Sequence, residues 1–400
     1  MDDVTTLVSM CGAGICLGVI TGLTPGLHVN TLLPFIVLLP VSGSMSAVLI
    51  FSLAVTHTFL DFIPSTLFGV PDEDTALSIL PAHRLLLQGR GYEAIKLTVV
   101  GSLGSLMLSC SLAPLMIVLI PPLHATISPY LAYILLGFVA IMIGSEKSLL
   151  RISASGAVFI ISGLYGYIAL NSPWIGNDLV LFPMFCGLFG ISTLLMSATC
   201  STRLPLQSFD TRIHLSRLQI MLNVVKGAGA GMLVSLFPGI GPAHATAVIS
   251  MKSSPRTFLV AVSGVNTANA VYALIGMYTI GKARSGAVAV IQGLTEVNNA
   301  MLVQLLSCGL LAAGVASVAA LMVAQQMLKL ISAVDYTAVT AGTCCILVVL
   351  VCAMTGVKGI ALMAVGCSIG LLPPLLGIRR SHCMGVLLFP ILLHYLGVNL

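Results

Sequence analysis

Gly18-Val19-Ile20-Thr21-Gly22-Leu23-Thr24-Pro25-Gly26-Leu27-His28-Val29-Asn30 breaks a hydrophobic span where a membrane helix would otherwise continue. A second version, Gly231-Met232-Leu233-Val234-Ser235-Leu236-Phe237-Pro238-Gly239-Ile240-Gly241-Pro242-Ala243-His244, lies 213 residues on, with Pro25-Gly26 falling on Pro238-Gly239. Proline has no amide donor and fixes φ, while glycine leaves the backbone open to close approach. Thr24 is placed to cap a half-helix with Pro25 at its first position, and Gly241 with Pro242 repeats the arrangement. Each half-helix would present unpaired N–H groups and a positive dipole end inside the membrane, which suits a carboxylate or a phosphate. Paired interruptions in two halves are the pattern of a secondary-transporter site near the midplane.

The surrounding composition agrees with a membrane setting. Hydrophobic residues make up 58% of the chain and charged residues 7%, with a mean hydropathy of +1.10, against roughly 25% charged in a soluble domain. The expected fold is all-α: a polytopic membrane protein of about ten to twelve segments in two inverted-topology repeats, with broken helices or re-entrant hairpins. Asp2 and Asp3 stand where a signal peptide carries basic residues, so the first span is expected to remain. The net charge of +5 is spread over short loops, which points to membrane topology and away from nucleic acid. The eleven cysteines show no C-x-x-C pair and sit in apolar runs, so they read as small packing residues and not as metal ligands.

A second internal match extends the duplication. Leu181-Phe182-Pro183-Met184 recurs as Leu388-Phe389-Pro390-Ile391, 207 residues on, and in the same register Gly163 meets Gly370 and Gly190 meets Gly397. The change from 213 to 207 implies one small deletion between the copies. The expected division is 1–199 for the first transmembrane repeat, 200–217 for a cytoplasmic connecting loop and 218–400 for the second repeat. Lysine and arginine occur in 146–151 and 200–217 but not in 121–126 or 171–178, which places the connecting loop in the cytoplasm. In the second half Lys329 and the pair Arg379-Arg380 fall on segments that match the uncharged ones of the first. The bias swaps sides, as an inverted repeat requires, although Lys358 falls on the opposite side.

Polar residues inside the spans are the candidates for a site, because they are costly there and face a cavity or a partner. The substrate-binding set is Thr24, Pro25, Gly26, His28 and Asn30 at the first break, Pro238, Gly239, Gly241 and His244 at the second, and Asn266 and Asn269 on the following span. Thr56, His57, Asp61 and Thr267 form the candidate set for a coupling ion or a proton relay; His57 and Asp61 are four apart on one helix face. Each has a plainer reading: His28 can bond a carbonyl freed by Pro25, Asn266 and Asn269 can join helices, and Asp61, next to Pro64, can be an interfacial carboxylate. Asp72, Glu73 and Asp74 read as a solvated loop and Glu296 as interfacial.

The two P-G-[LI] breaks, the polar segment 71–91 and the duplicated plan resemble the TctA family, the large permease subunit of tripartite tricarboxylate transporters. The run from Asp74 to Gly91, with Thr75-Ala76-Leu77, Pro81-Ala82-His83-Arg84 and Gly89-Arg90-Gly91, is similar to that family's T-A-L-D-G-y-p-m-a-r-k-G-r block, and the likeness is nearest to its short archaeal branch. The resemblance implies a permease that works with a periplasmic binding protein and a small membrane subunit. Here Ser78-Ile79 replaces the family's Asp-Gly and the chain is shorter than its bacterial members, so neither the tricarboxylate nor those partners carry over by resemblance alone.

The expected function is a secondary active permease for a small organic anion, a carboxylate, in the cytoplasmic membrane. Na⁺ or H⁺ symport would drive it by alternating access, with no other cofactor, no metal and no catalytic residue; a homodimer is left open. The alternative is a carrier for a lipid-linked phosphate such as polyprenyl phosphate. No H-E-x-x-H or G-x-S-x-G pattern supports a membrane hydrolase.

Overall fold

The computed structural model describes residues 4–24, 29–69, 79–173, 175, 177–198, 205–210, 212–236, 245, 253–283, 285–332 and 336–398. Among them the chain is helical without strands, and ten helices are long and apolar enough to cross a membrane. The protein is a multi-pass membrane protein.

Two buried helices, α3 (Gly43–Leu60) and α13 (Pro255–Ile280), form the centre, and each carries an outer partner. α1 (Val4–Leu23) packs on α3, and α12 (Arg217–Leu236) packs on α13. The reason lies in spacing: Gly14, Gly18 and Gly22 recur every fourth residue of α1, as do Gly227, Gly231 and Ser235 of α12. A glycine stripe lets two backbones close up in lipid, where packing has to replace the hydrophobic drive. A Cβ at Gly14 would lie 2.9 Å from Ser52 Cβ, at Gly18 2.5 Å from Thr56 Cβ, and at Gly22 2.6 Å from Leu60 Cβ. In the second pair, a Cβ at Gly227 would lie 3.0 Å from Gly264 Cα and at Gly231 2.8 Å from Ala268 Cβ. Partner numbers rise with α1 and α12 numbers, so both pairs are parallel.

Parallel packing dictates the path after the first break. α1 ends beside Leu60 and α3 starts at Gly43, so residues 24–42 must travel back across the molecule before α3 begins. They do so through α2 (Val29–Val37), whose nine residues cover about 14 Å.

α3 runs on past Asp61 into α4 (Phe62–Phe68), ended by Gly69 at a left-handed φ of 64°. Pro64 explains the change of helix, since it has no N–H for the carbonyl four residues back. The continuous span is thus Gly43–Phe68, 26 residues and about 39 Å. The plainer reading of Asp61 as an interfacial carboxylate is corrected here, because the helix continues for seven residues past it and Asp61 is 4% exposed.

α5 (Ile79–Leu87) buries Ala82, His83, Leu85 and Leu86 and leaves Arg84 exposed. α6 (Gly91–Ser111) and α7 (Ala113–Ile127) follow, then α8 (Leu131–Gly144) and α9 (Leu149–Asn171). α10 (Asn177–Phe185) passes through a π turn, Cys186–Ile191, into α11 (Ser192–Ala198). After α13 come α14 (Gly286–Leu294), α15 (Asn299–Ser332), α16 (Tyr336–Leu376, kinked at Gly356), a 3₁₀ turn Arg380–Met384 and α17 (Gly385–Leu396).

Helix bounds follow the sequence offsets. α1 and α12 differ by 213 at both ends, and α5 and α14 differ by 207 at both ends. Yet matching helices point opposite ways. α6 starts at the loop between the halves, where Gly91 N–H donates to Gln207 Oε1 (3.0 Å), whereas its counterpart α15 ends there, with Lys329 over the Phe209 ring and Leu328 beside Gly91. α13 also starts there, through Arg256 bonding Glu93 (2.9 and 3.2 Å), while α3 starts at the far face beside Leu294.

Candidate functional site

Polar side chains converge where α3 crosses α13, at the middle of both spans. Asn266 and Thr267 sit at the midpoint of Pro255–Ile280, and His57 and Thr58 near that of Gly43–Phe68. Asn266 Nδ2 donates to Asp61 Oδ2 (3.0 Å), and the Thr58 and Thr267 hydroxyls pair at 3.1 Å. His57 Nδ1 lies 3.0 Å from Thr21 Oγ1, which ties in α1. All six side chains are buried, from 0% exposed for Thr267 to 7% for Thr58.

The local chain explains how these groups are held. Thr58 Oγ1 lies 2.8 Å from Val55 O and Thr267 Oγ1 3.2 Å from Ser263 O; with one proton each, one hydroxyl donates to its own helix carbonyl and accepts from the other. Ser65 donates to Asp61 O (2.9 Å), supplying the carbonyl one turn before it with a donor near the Pro64 interruption. Thr56 is fully buried against Gly18, and its hydroxyl oxygen has no hydrogen-bond partner among the described residues. A carboxylate, a carboxamide and several hydroxyls within one buried crossing are oxygen donors of the kind a hard cation takes. Among the described residues no three His, Cys, Asp or Glu side chains group as a transition-metal site would need.

The structure brings together Thr56, His57, Asp61, Asn266 and Thr267, and it adds Thr21, Thr58 and Ser65, which lie outside the candidate sets. Their signal was present: Thr21 adjoins Gly22 in the glycine stripe, and Thr58 lies between His57 and Asp61. Asn269 does not join the cluster. It is half-buried on the side of α12, with its backbone N 3.0 Å from where a Gly231 Cβ would be, as Thr56 packs at the matching Gly18. Asn30 is also elsewhere, exposed on α2 with its side chain against Gly286 at the start of α14. Thr24 closes α1, its N–H donating to Ile20 O (3.0 Å). Pro25, Gly26, His28, Pro238, Gly239, Gly241 and His244 lie outside the described residues, as do the half-helix starts expected of them.

Two ion-pair clusters lie outside this crossing. Glu93 receives Arg256, Arg90 and His214 at the loop between the halves. Glu146 Oε1 accepts from His382 Nε2 (3.0 Å) and from Arg379 N–H (3.3 Å). Burial pulls both ways on this second pair. It would raise the Glu146 carboxyl, but the His382 and Arg379 bonds outweigh it and hold that carboxyl below its ordinary value. For His382, burial outweighs Glu146 and pushes the imidazole down.

The comparisons with known proteins agree with a transport scaffold. The model of the family described as "Tripartite tricarboxylate transporter TctA family" matches residues 8–385. An uncharacterized protein of Methanocaldococcus jannaschii is 30% identical over 406 residues, covering 96% of this chain and 97% of that protein. No solved structure matches the chain.

Proposed function

The chain belongs to the tripartite tricarboxylate transporter TctA family, and from that premise we propose a secondary active permease that carries a small organic anion, a carboxylate, across the cytoplasmic membrane. The single observation that supports it is the buried crossing of α3 and α13, where Asp61, Thr58, Asn266 and Thr267 from the two halves meet at mid-span. A carboxylate kept in so apolar a setting is costly unless it is used, and intramembrane ionisable groups mark ion pathways. In this reading Asp61 and the surrounding hydroxyls hold the coupling Na⁺ or the proton, and the breaks at Pro25-Gly26 and Pro238-Gly239 receive the substrate carboxylates. The antiparallel placement of matching helices supports alternating access by two inverted repeats, 1–199 and 218–400.

The experiment is uptake by the purified chain in proteoliposomes, without a binding protein or small subunit. Labelled mono-, di- and tricarboxylates are offered under a Na⁺ gradient or a pH gradient. Accumulation of one carboxylate against its gradient, lost in Asp61→Asn, supports the reading. Movement of polyprenyl phosphate with no carboxylate uptake transfers the case to a lipid-phosphate carrier, and silence with all of them refutes an autonomous permease.

A further inference from the structure

A second concentration of buried polar groups lies where the 3₁₀ turn Arg380–Met384 meets the π turn Cys186–Ile191 and the start of α11. Its neighbour, the Glu146, His382 and Arg379 cluster, is balanced in charge. Arg380 is not. Its Nη1 donates to Ser192 Oγ (3.3 Å) and to Thr193 Oγ1, both neutral, and among the described residues it forms no ion pair.

The two hydroxyls act as a fixed cradle. Ser192 is fully buried and Thr193 is 4% exposed. Each gives its own proton to a carbonyl of the π turn, Ser192 to Leu188 O (2.6 Å) and Thr193 to Phe189 O (2.5 Å), so each turns a lone pair to Arg380. Held by one nitrogen, the guanidinium has no hydrogen bond at its Nε and Nη2 edge among the described residues, and that edge matches a carboxylate or phosphate in a two-point fork. Burial pushes the group down from its ordinary value. A partly desolvated cation without a counter-charge is unfavourable.

Two further features set this turn apart. Ser381, next in the turn and 5% exposed, has a hydroxyl without a hydrogen-bond partner among the described residues. At the 207 offset Arg380-Ser381-His382 falls on Pro173-Trp174-Ile175, so only the second half carries this polar triplet. An arginine kept only for membrane orientation would be solvated, with no buried hydroxyls arranged around it.

We propose that Arg380, positioned by Ser192 and Thr193, is an oxyanion-binding site that takes a carboxylate or phosphate group through its Nε and Nη2 edge. The site is separate from the α3–α13 crossing and does not rest on the transport reading. Its ligand is either a soluble anion or the phosphate of a lipid headgroup.

The test is protection of the wild-type, full-length protein from phenylglyoxal, read at Arg380 and at the exposed Arg84 by peptide mass spectrometry. The arms are citrate, inorganic phosphate, and nanodiscs of phosphatidylglycerol against phosphatidylcholine. Slowing at Arg380 by about fivefold or more, with Arg84 unchanged, is expected in at least one arm. Protection by citrate or phosphate identifies a soluble anion, and protection in phosphatidylglycerol alone identifies a headgroup; either supports the site. Equal behaviour of the two arginines in every arm overturns it. In parallel, the protecting anion should raise the melting temperature of wild type, raise that of Arg380→Lys less, and leave Arg380→Gln unmoved. An equal rise in Arg380→Gln also overturns the proposal.

Discussion

Asn266 Nδ2 donates to Asp61 Oδ2 over 3.0 Å, although the two residues are 205 apart and belong to different halves of the chain. The bond joins the end of α3 to the middle of α13. Replacing Asp61 with Asn removes the charge but keeps the shape and a hydrogen bond. Ion-driven uptake should fall by about tenfold or more, the scale of one charged hydrogen bond, with the melting temperature little changed. Normal ion-driven uptake by Asp61→Asn would take Asp61 out of the mechanism.

The glycine stripe makes a stability prediction with its own control. Gly18→Ala puts a Cβ 2.5 Å from Thr56 Cβ and 2.7 Å from Leu53 O, so α1 and α3 must separate, at about 1–3 kcal/mol. Gly12→Ala, on the same helix, meets nothing within 4 Å and should be neutral. Thermal unfolding of both in detergent checks this; equal melting temperatures would contradict the close packing.

The Glu146 and His382 pair predicts an acid limb in stability. Both groups are held below their unfolded values of 4.5 and 6.5, so both favour the deprotonated form in the fold. Their contribution is complete above the unfolded histidine value of 6.5 and is lost as pH falls through the folded values. Melting temperature should therefore drop below that pH, and His382→Asn should flatten the first part of the drop. A wild-type curve that rises on acidification would reverse the assignment.

Sidedness is testable by cysteine labelling after the native thiols are replaced. Cysteines at exposed Ser208 and Lys329 should react from one side of the membrane, and one at exposed Asn298 from the other. The same side for all three would break the arrangement in which α6 starts, and α15 ends, at the loop between the halves.

Much of this architecture was legible from residue spacing. The membrane class, the helical fold and the 213 and 207 offsets follow from composition and from matching Pro-Gly and Leu-Phe-Pro runs. Depth was harder to read. Pro64 looks like the end of a span, yet the backbone passes it with one unmade hydrogen bond and continues to Phe68, which moves Asp61 from the edge to the interior. Thr21 escaped notice because its partner His57 is 36 residues away, and only the parallel packing of α1 on α3 brings them together. Asn30 and Asn269 lie apart from the crossing because of the helix faces they occupy: Asn30 is on α2 beside Gly286, and Asn269 meets α12 at Gly231.

The matched but oppositely directed helices also bear on direction. Each half holds one such parallel pair, α1 on α3 and α12 on α13, with α3 starting beside Leu294 at the far face and α13 at the loop between the halves. Any preference between the two faces must then be set by side chains that break the match. Asp61 has Leu274 as its counterpart, His57 has Ala270, and Arg380 has Pro173. Exchanging these three residues with their counterparts should change any bias between the two faces, read as the ratio of inward to outward uptake in oriented proteoliposomes.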